Sequence, residues 1–311
     1  MKNLFFLVLV LLAIGVGAWF FNQKYLTQTS DKPTQITNSD TVISGKILAQ
    51  IKTGTRTDII SFNTDSKNKV LFTDQDEKQK ISKVASINSG DKVLPVIMGD
   101  QLFKIWLDGS GKKELLQSSF GAQDFGFSPD GKKIATISFS NAEKNYGYSL
   151  SISSIDGSTT KELVHSSDII RELAWLDNST IIYIQDKGET VTILARVNID
   201  SGKTQVIYTT DQEIYNFNLN HDKIVLSQGG NGPTKSSILK IDLNGKNSET
   251  LYSDTSGIIY YPYISPDGTK VVFLVSADVS DKPSGQMFLY DLKTKNKTSI
   301  SQANKIIAWI N

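Results

Sequence analysis

The chain has 311 residues, with 33 Lys and Arg against 32 Asp and Glu and a formal net charge of +1. That balance gives no sign of a nucleic-acid partner. Cysteine is absent, which excludes disulfides, thiolate catalysis, cysteine metal sites and a lipidated cysteine anchor.

Residues 1–24 open with Lys2 and then run apolar from Leu4 to Phe21. A helix of that length just spans a hydrocarbon core. The expectation is a transmembrane signal anchor, which would place the rest of the chain outside the cytoplasm as a single-pass membrane protein. The alternative is a cleaved signal peptide at Val16-Gly17-Ala18, giving a secreted or periplasmic product; bulky Trp19, Phe20 and Phe21 weigh against it. Residues 25–40 are polar, rich in Thr, Ser, Gln and Asn, and lack apolar periodicity, so they read as a flexible linker.

From residue 41 onward, short runs rich in Val, Ile, Tyr, Phe and Thr alternate with Asp, Asn, Gly and Ser, an all-β pattern. The runs group into units of four strands, a to d. Residues 41–52 supply a strand b, and 58–77 a c–d hairpin. Full units follow at about 81–117, 123–165, 168–210, 214–254 and 258–301. Val93, Ile134, Ile182, Ile224 and Val271 occupy corresponding places in strand b, at intervals of 41, 48, 42 and 47 residues. A period in the forties is that of four-stranded propeller blades. The last run, KIIAWIN (305–311), matches strand a of RELAWLDN, and the first unit lacks a strand a. The expected fold is a six-bladed β-propeller spanning 41–311, its first blade (41–77) completed by 305–311. Closure of this kind removes unpaired sheet edges.

Two copies of the a–b turn are nearly identical, DFGFSPDGKKIATIS (124–138) and YYPYISPDGTKVVFLV (260–275). Pro presets φ, Asp bonds back to the backbone and Gly takes a positive φ. The motif therefore reads as scaffolding rather than as catalytic Asp130 or Asp267. With the c strand and Asp-Gly turn that follow, these segments resemble the WD-like repeat of TolB-type propellers. They are similar also to the N-terminal propellers of dipeptidyl-peptidase IV and prolyl oligopeptidases. The resemblance covers 41–311, without room for the TolB N-terminal α/β domain or for a peptidase domain. It implies a propeller fold and binding of proteins or peptides, not peptidase activity.

Chemical motifs are sparse. His165 and His221 are the only histidines, and no G-x-S-x-G elbow is present. DGSGKKE (108–114) lacks the spacing of a phosphate loop, and TDQDEK (73–78) that of a calcium loop. No cofactor, metal site or catalytic residue is expected. Function is expected in the b–c and d–a loops, on one face around the channel, where uneven polar loops suit binding. Tyr146, Tyr148, Asn231, Lys235, Tyr260 and Tyr261 are the candidate binding residues. The reading is a non-catalytic module for a protein or peptide partner of the cell envelope. The alternative is a lyase or hydrolase acting on carbohydrate or peptide through carboxylates across the channel.

Overall fold

The computed structural model describes residues 45–63, 68–74, 80–87, 92–188, 190–220, 222–230, 235–277 and 284–310. The expected membrane anchor and linker lie outside the described residues. Among the described residues no helix is long and apolar enough to cross a membrane.

Among the described residues twenty-four strands form six separate four-stranded antiparallel sheets. In five of them the strands follow one another in chain order from the innermost, a, to the outermost, d. The inner strands of blades 2 to 6 are Ile81–Val84, Asp124–Phe127, Ile169–Asp177, Glu213–Asn220 and Ile258–Ile264. Blade 1 is assembled from both ends of the propeller: Lys46–Thr53, Arg56–Phe62 and Lys69–Thr73 are its strands b, c and d, and Lys305–Ile310 is its strand a. The closing pair runs antiparallel, with Ile47 opposite Trp309 and Leu48 opposite Ala308. The all-β, six-bladed propeller read from the repeat is the observed architecture.

Burial explains why these segments are strands of different composition. Strand b of blade 4, TIIYIQDK (Thr180–Lys187), is buried at five consecutive positions, because each of its faces packs on a neighbouring blade. The outermost strand of blade 2, KELLQ (Lys113–Gln117), buries none of its residues fully. The core lies between sheets: one cluster joins blades 3 and 4 through Ile137, Leu150, Trp175 and Tyr183, and the next joins blades 4 and 5 through Ile184, Leu194, Phe217 and Leu226. A larger one runs through blades 6, 1 and 2 and includes Ile306, Ile307 and Trp309.

The Ser-Pro-Asp-Gly segments are tight turns. Gly131 N donates to Ser128 O and Gly268 N to Ser265 O, each at 2.8 Å. Gly131 and Gly268 have φ of 68° and 72°. Asp130 and Asp267 accept from Ser128 Oγ at 2.7 Å and Ser265 Oγ at 2.6 Å, so both carboxylates serve their own turns. The b–c connections are less uniform than expected. They are long in blades 3, 5 and 6 but are tight turns at Gly54 in blade 1, Gly99 in blade 2 and Gly188 in blade 4. Glycine at positive φ lets these hairpins close without extra residues.

Candidate functional site: the central channel and its mouth

The inner strands slip register in five of the six blades, blade 3 pairing without a shift, and one residue of each inner strand stands in a ring around the axis. In blade 4 the pairing shifts between Arg171 and Leu173, and Glu172 has φ 50°. In blade 6 it shifts between Tyr260 and Tyr263, and Tyr261 has φ 51°. A left-handed backbone is uncommon for residues other than glycine. Comparable shifts occur beside Lys83 in blade 2 and Asn216 in blade 5.

The ring closes through contacts between every pair of adjacent blades. Lys83 Nζ donates to the carbonyls of Ala122 and Gln123 at 2.6 and 2.7 Å, just ahead of Asp124. Asp124 Oδ2 accepts from Leu173 N at 2.8 Å. Glu172 Oε1 accepts from Asn216 Nδ2 at 3.0 Å, and Asn216 Oδ1 accepts from Tyr261 N at 3.1 Å. The Lys305 ammonium lies 5.7 Å from the centre of the Tyr261 ring and donates to Val84 O at 2.7 Å, which returns the chain of contacts to blade 2.

Asp124 and Glu172 are surrounded by protein yet keep partial solvent access, as groups lining a narrow channel do. Burial, and then the Asp124 carboxylate, push the Glu172 carboxyl up to about 7 against the pull of Lys305 and Arg171. Burial also raises Asp124, opposed by Lys305, by the Leu173 N–H and by Lys83. Burial raises the Tyr261 and Tyr263 phenols, which stay neutral. The channel thus holds two carboxyl groups whose combined ionisation is resisted near neutral pH.

Toward the a–b turns the channel widens into two adjoining cavities of about 100 and about 210 Å³. All six blades line them: Ile87, Phe127 and Pro129, Trp175, Leu219, Tyr263 and Pro266, and Trp309. Asn218 and Asn220 supply polar atoms, and their amides donate to Pro262 O at 3.1 Å and Ile264 O at 3.3 Å. None of the described residues lining either cavity is charged. Pro129 and Pro266 belong to the Ser-Pro-Asp-Gly turns, so these turns frame the mouth.

The candidate residues from the sequence do not form one site. Tyr146 is 58% exposed, and its ring and that of Tyr148 lie 5.5 and 4.9 Å from Phe139. Tyr260 is buried, with its ring 5.5 Å from Tyr215, and Tyr261 is a member of the channel ring. The Tyr215 hydroxyl donates to Gly230 O, at the start of the loop that carries Asn231 and Lys235. Lys235 is exposed, and Asn231 lies outside the described residues, as does His221. His165 Nδ1 is 3.0 Å from Ser149 Oγ on the blade 3 surface. Among the described residues no cluster of three or more His, Cys, Asp or Glu is arranged to hold a metal.

Lys83, Asp124, Glu172, Asn216 and Lys305 were not singled out from the sequence, although the signal was present. In SKVAS, QDFGF, RELAW, YNFNL and YYPYI the ring residue holds the second place of the strand a segment, and in NKIIAW Lys305 stands one residue further ahead of the shared Ala-Trp pair.

A six-bladed propeller with a polar ring and an uncharged mouth is the class this geometry defines. No family model and no curated protein matches the chain. Among solved structures it is similar to TolB from Acinetobacter baumannii, with a TM-score of 0.64 and 16% identity over 86% of this chain and 67% of that one. A putative TolB from Agrobacterium tumefaciens gives 0.60 and 16% over 85% and 92%. An oligogalacturonate lyase in complex with manganese gives 0.54 and 10% over 88% and 85%. At these identities the likeness establishes the fold, and that fold is the TolB-type propeller.

Proposed function

We propose that this protein is a non-catalytic propeller that binds a protein or peptide of the cell envelope at the mouth framed by its a–b turns. The mouth carries the reading. It is concave, contributed by all six blades and uncharged among its described lining residues, with aromatic and aliphatic side chains set beside serine hydroxyls and asparagine amides. Such a surface suits an uncharged side chain of mixed character, apolar with a hydrogen-bonding end, presented by a partner. The reading includes tethering by residues 1–24 with the propeller outside the cytoplasm, which rests on the apolar run from Leu4 to Phe21.

A second reading, a lyase or hydrolase, rests on the Asp124 and Glu172 pair. Against it, Asp124 Oδ2 and Glu172 Oε1 already accept hydrogen bonds that join blades 3, 4 and 5. That arrangement suits a structural use of the pair better than general acid and base work.

The test is affinity capture from detergent-solubilised envelope with the full chain, comparing Leu219→Asp and Trp309→Ala with Tyr146→Ala and Tyr148→Ala. Loss of a specific partner in the mouth variants alone supports the proposal, provided their melting curves show a folded protein. Loss only in the tyrosine variants moves the site to the b–c loop face. Protease added to intact spheroplasts should remove the propeller; full protection would refute its placement outside the cytoplasm.

A further inference from the structure

We propose that Asp124 and Glu172 form a proton-binding site that controls the shape of the channel mouth. The inference rests on the reading of the mouth as the binding site, and it adds how that site is regulated. The two carboxyl groups sit on adjacent inner strands and stitch three blades together, through Leu173 N to Asp124 and Asn216 Nδ2 to Glu172. Those same strands run straight into the mouth. Gly126 to Pro129 follow Asp124, Leu173 to Leu176 follow Glu172, and Asn218 to Asn220 follow Asn216, and all of these segments line the cavities. Trp175 carries the stitch further, donating from Nε1 to Gly126 O at 3.0 Å.

The charges facing the pair are known from every blade around it. Lys83 comes from blade 2 and Lys305 from blade 1. Arg171, beside Glu172, is engaged by Asp186 at 2.7 Å and Glu213 at 3.9 Å. Blade 6 presents the neutral phenols of Tyr261 and Tyr263, and blade 5 presents the uncharged Asn216. Lys83 and Lys305 each donate to backbone carbonyls. When both carboxyls ionise, they repel across the channel in a setting that solvates charge poorly.

The sign follows from the direction of the shift. Folding raises the proton affinity of Glu172 from an ordinary 4.5 to about 7. The folded ring is therefore favoured in acid, and that advantage is lost as pH rises from about 4.5 toward about 7. Glu172 at φ 50° adds backbone strain, which persists only while its surroundings hold it in place. Loss of the proton leaves two poorly solvated like charges at the residue already under strain; their repulsion outweighs the firmer hydrogen bonds from Asn216 and Leu173, and the strands that shape the mouth move with it.

The experiment is hydrogen–deuterium exchange of the full chain, read on peptides covering residues 169–177 and 213–220 and corrected for intrinsic rates. Wild type should lose protection there by about tenfold or more on passing from about pH 6 to about pH 8.5, one pKa unit being a factor of ten in the linked equilibrium. Glu172→Gln should show no step. Asp124→Asn should keep the step but move its midpoint to lower pH, because the repelling carboxylate is gone while burial remains. The second variant keeps the test decisive should Glu172→Gln fail to fold. A flat wild-type profile, or an unmoved midpoint in Asp124→Asn, overturns the proton site. A clear step combined with mouth variants that still capture their partner would instead remove the mouth as the binding site, a separate failure.

Discussion

Closure of the ring by Lys305–Ile310 makes the stability of the whole propeller depend on a few C-terminal residues. Ile306 is fully buried in the cluster that joins blades 6, 1 and 2. Ile306→Ala removes its branched side chain from a packed interior and should cost about 2–5 kcal/mol. Domains of ordinary stability have about 5–15 kcal/mol in total, so this one change removes a large share. For a domain of this size the melting temperature should fall by about 4–20 °C. Deleting residues 305–311 goes further. It takes Ile306, Ile307, Ala308 and Trp309 out of the core and leaves the edge of Lys46–Thr53 unpaired, an edge that templates aggregation. The assay is calorimetry or circular dichroism for the point variant, and light scattering for the truncation. A soluble truncated chain with a cooperative, unshifted melt, or an Ile306→Ala melt within about 2 °C of wild type, would refute the closure argument.

Glycine turns separate two costs. A Cβ at Gly131 meets nothing within 4 Å, whereas one at Gly245 runs into the Ile207 carbonyl; chemical denaturation should show Gly131→Ala losing about 1 kcal/mol from φ alone and Gly245→Ala losing clearly more. Asp254 should matter only above its acid range. Burial raises it, but hydrogen bonds from Ser256, Tyr252 and Lys297 outweigh burial and hold it low. Its stabilisation is present above the unfolded value of 3.8 and is lost as pH falls. Asp254→Asn should therefore be destabilised at neutral pH and converge with wild type in strong acid, as read by urea titrations at both pH values.

The repeat made most of the fold legible in the sequence. Aliphatic residues at a fixed place in strand b, Ser-Pro-Asp-Gly turns and a final KIIAWIN matching RELAWLDN were enough for six blades and for closure by the C-terminal strand. Strand content is readable because alternation, β-branched residues and turn chemistry act over a few residues. The channel was not read as a ring, although Tyr261 was singled out, because its members differ in type from blade to blade: lysine in blades 1 and 2 (Lys305 and Lys83), a carboxylic acid in blades 3 and 4 (Asp124 and Glu172), and Asn216 and Tyr261 in blades 5 and 6. Only closure brings them together, one from each blade, and only the register slips at Glu172 and Tyr261 turn them into a continuous loop of contacts. The raised carboxyl of Glu172 is likewise a property of its neighbours, set by burial and by Asp124 from another blade. Tyr260 illustrates the converse, since its aromatic ring suggested an anchor and packing against Tyr215 buries it. Local sequence determined the strands and their turns. The axis of the propeller, where residues more than forty positions apart meet, was decided by tertiary structure, because charge, solvation and contact depend on distance in space.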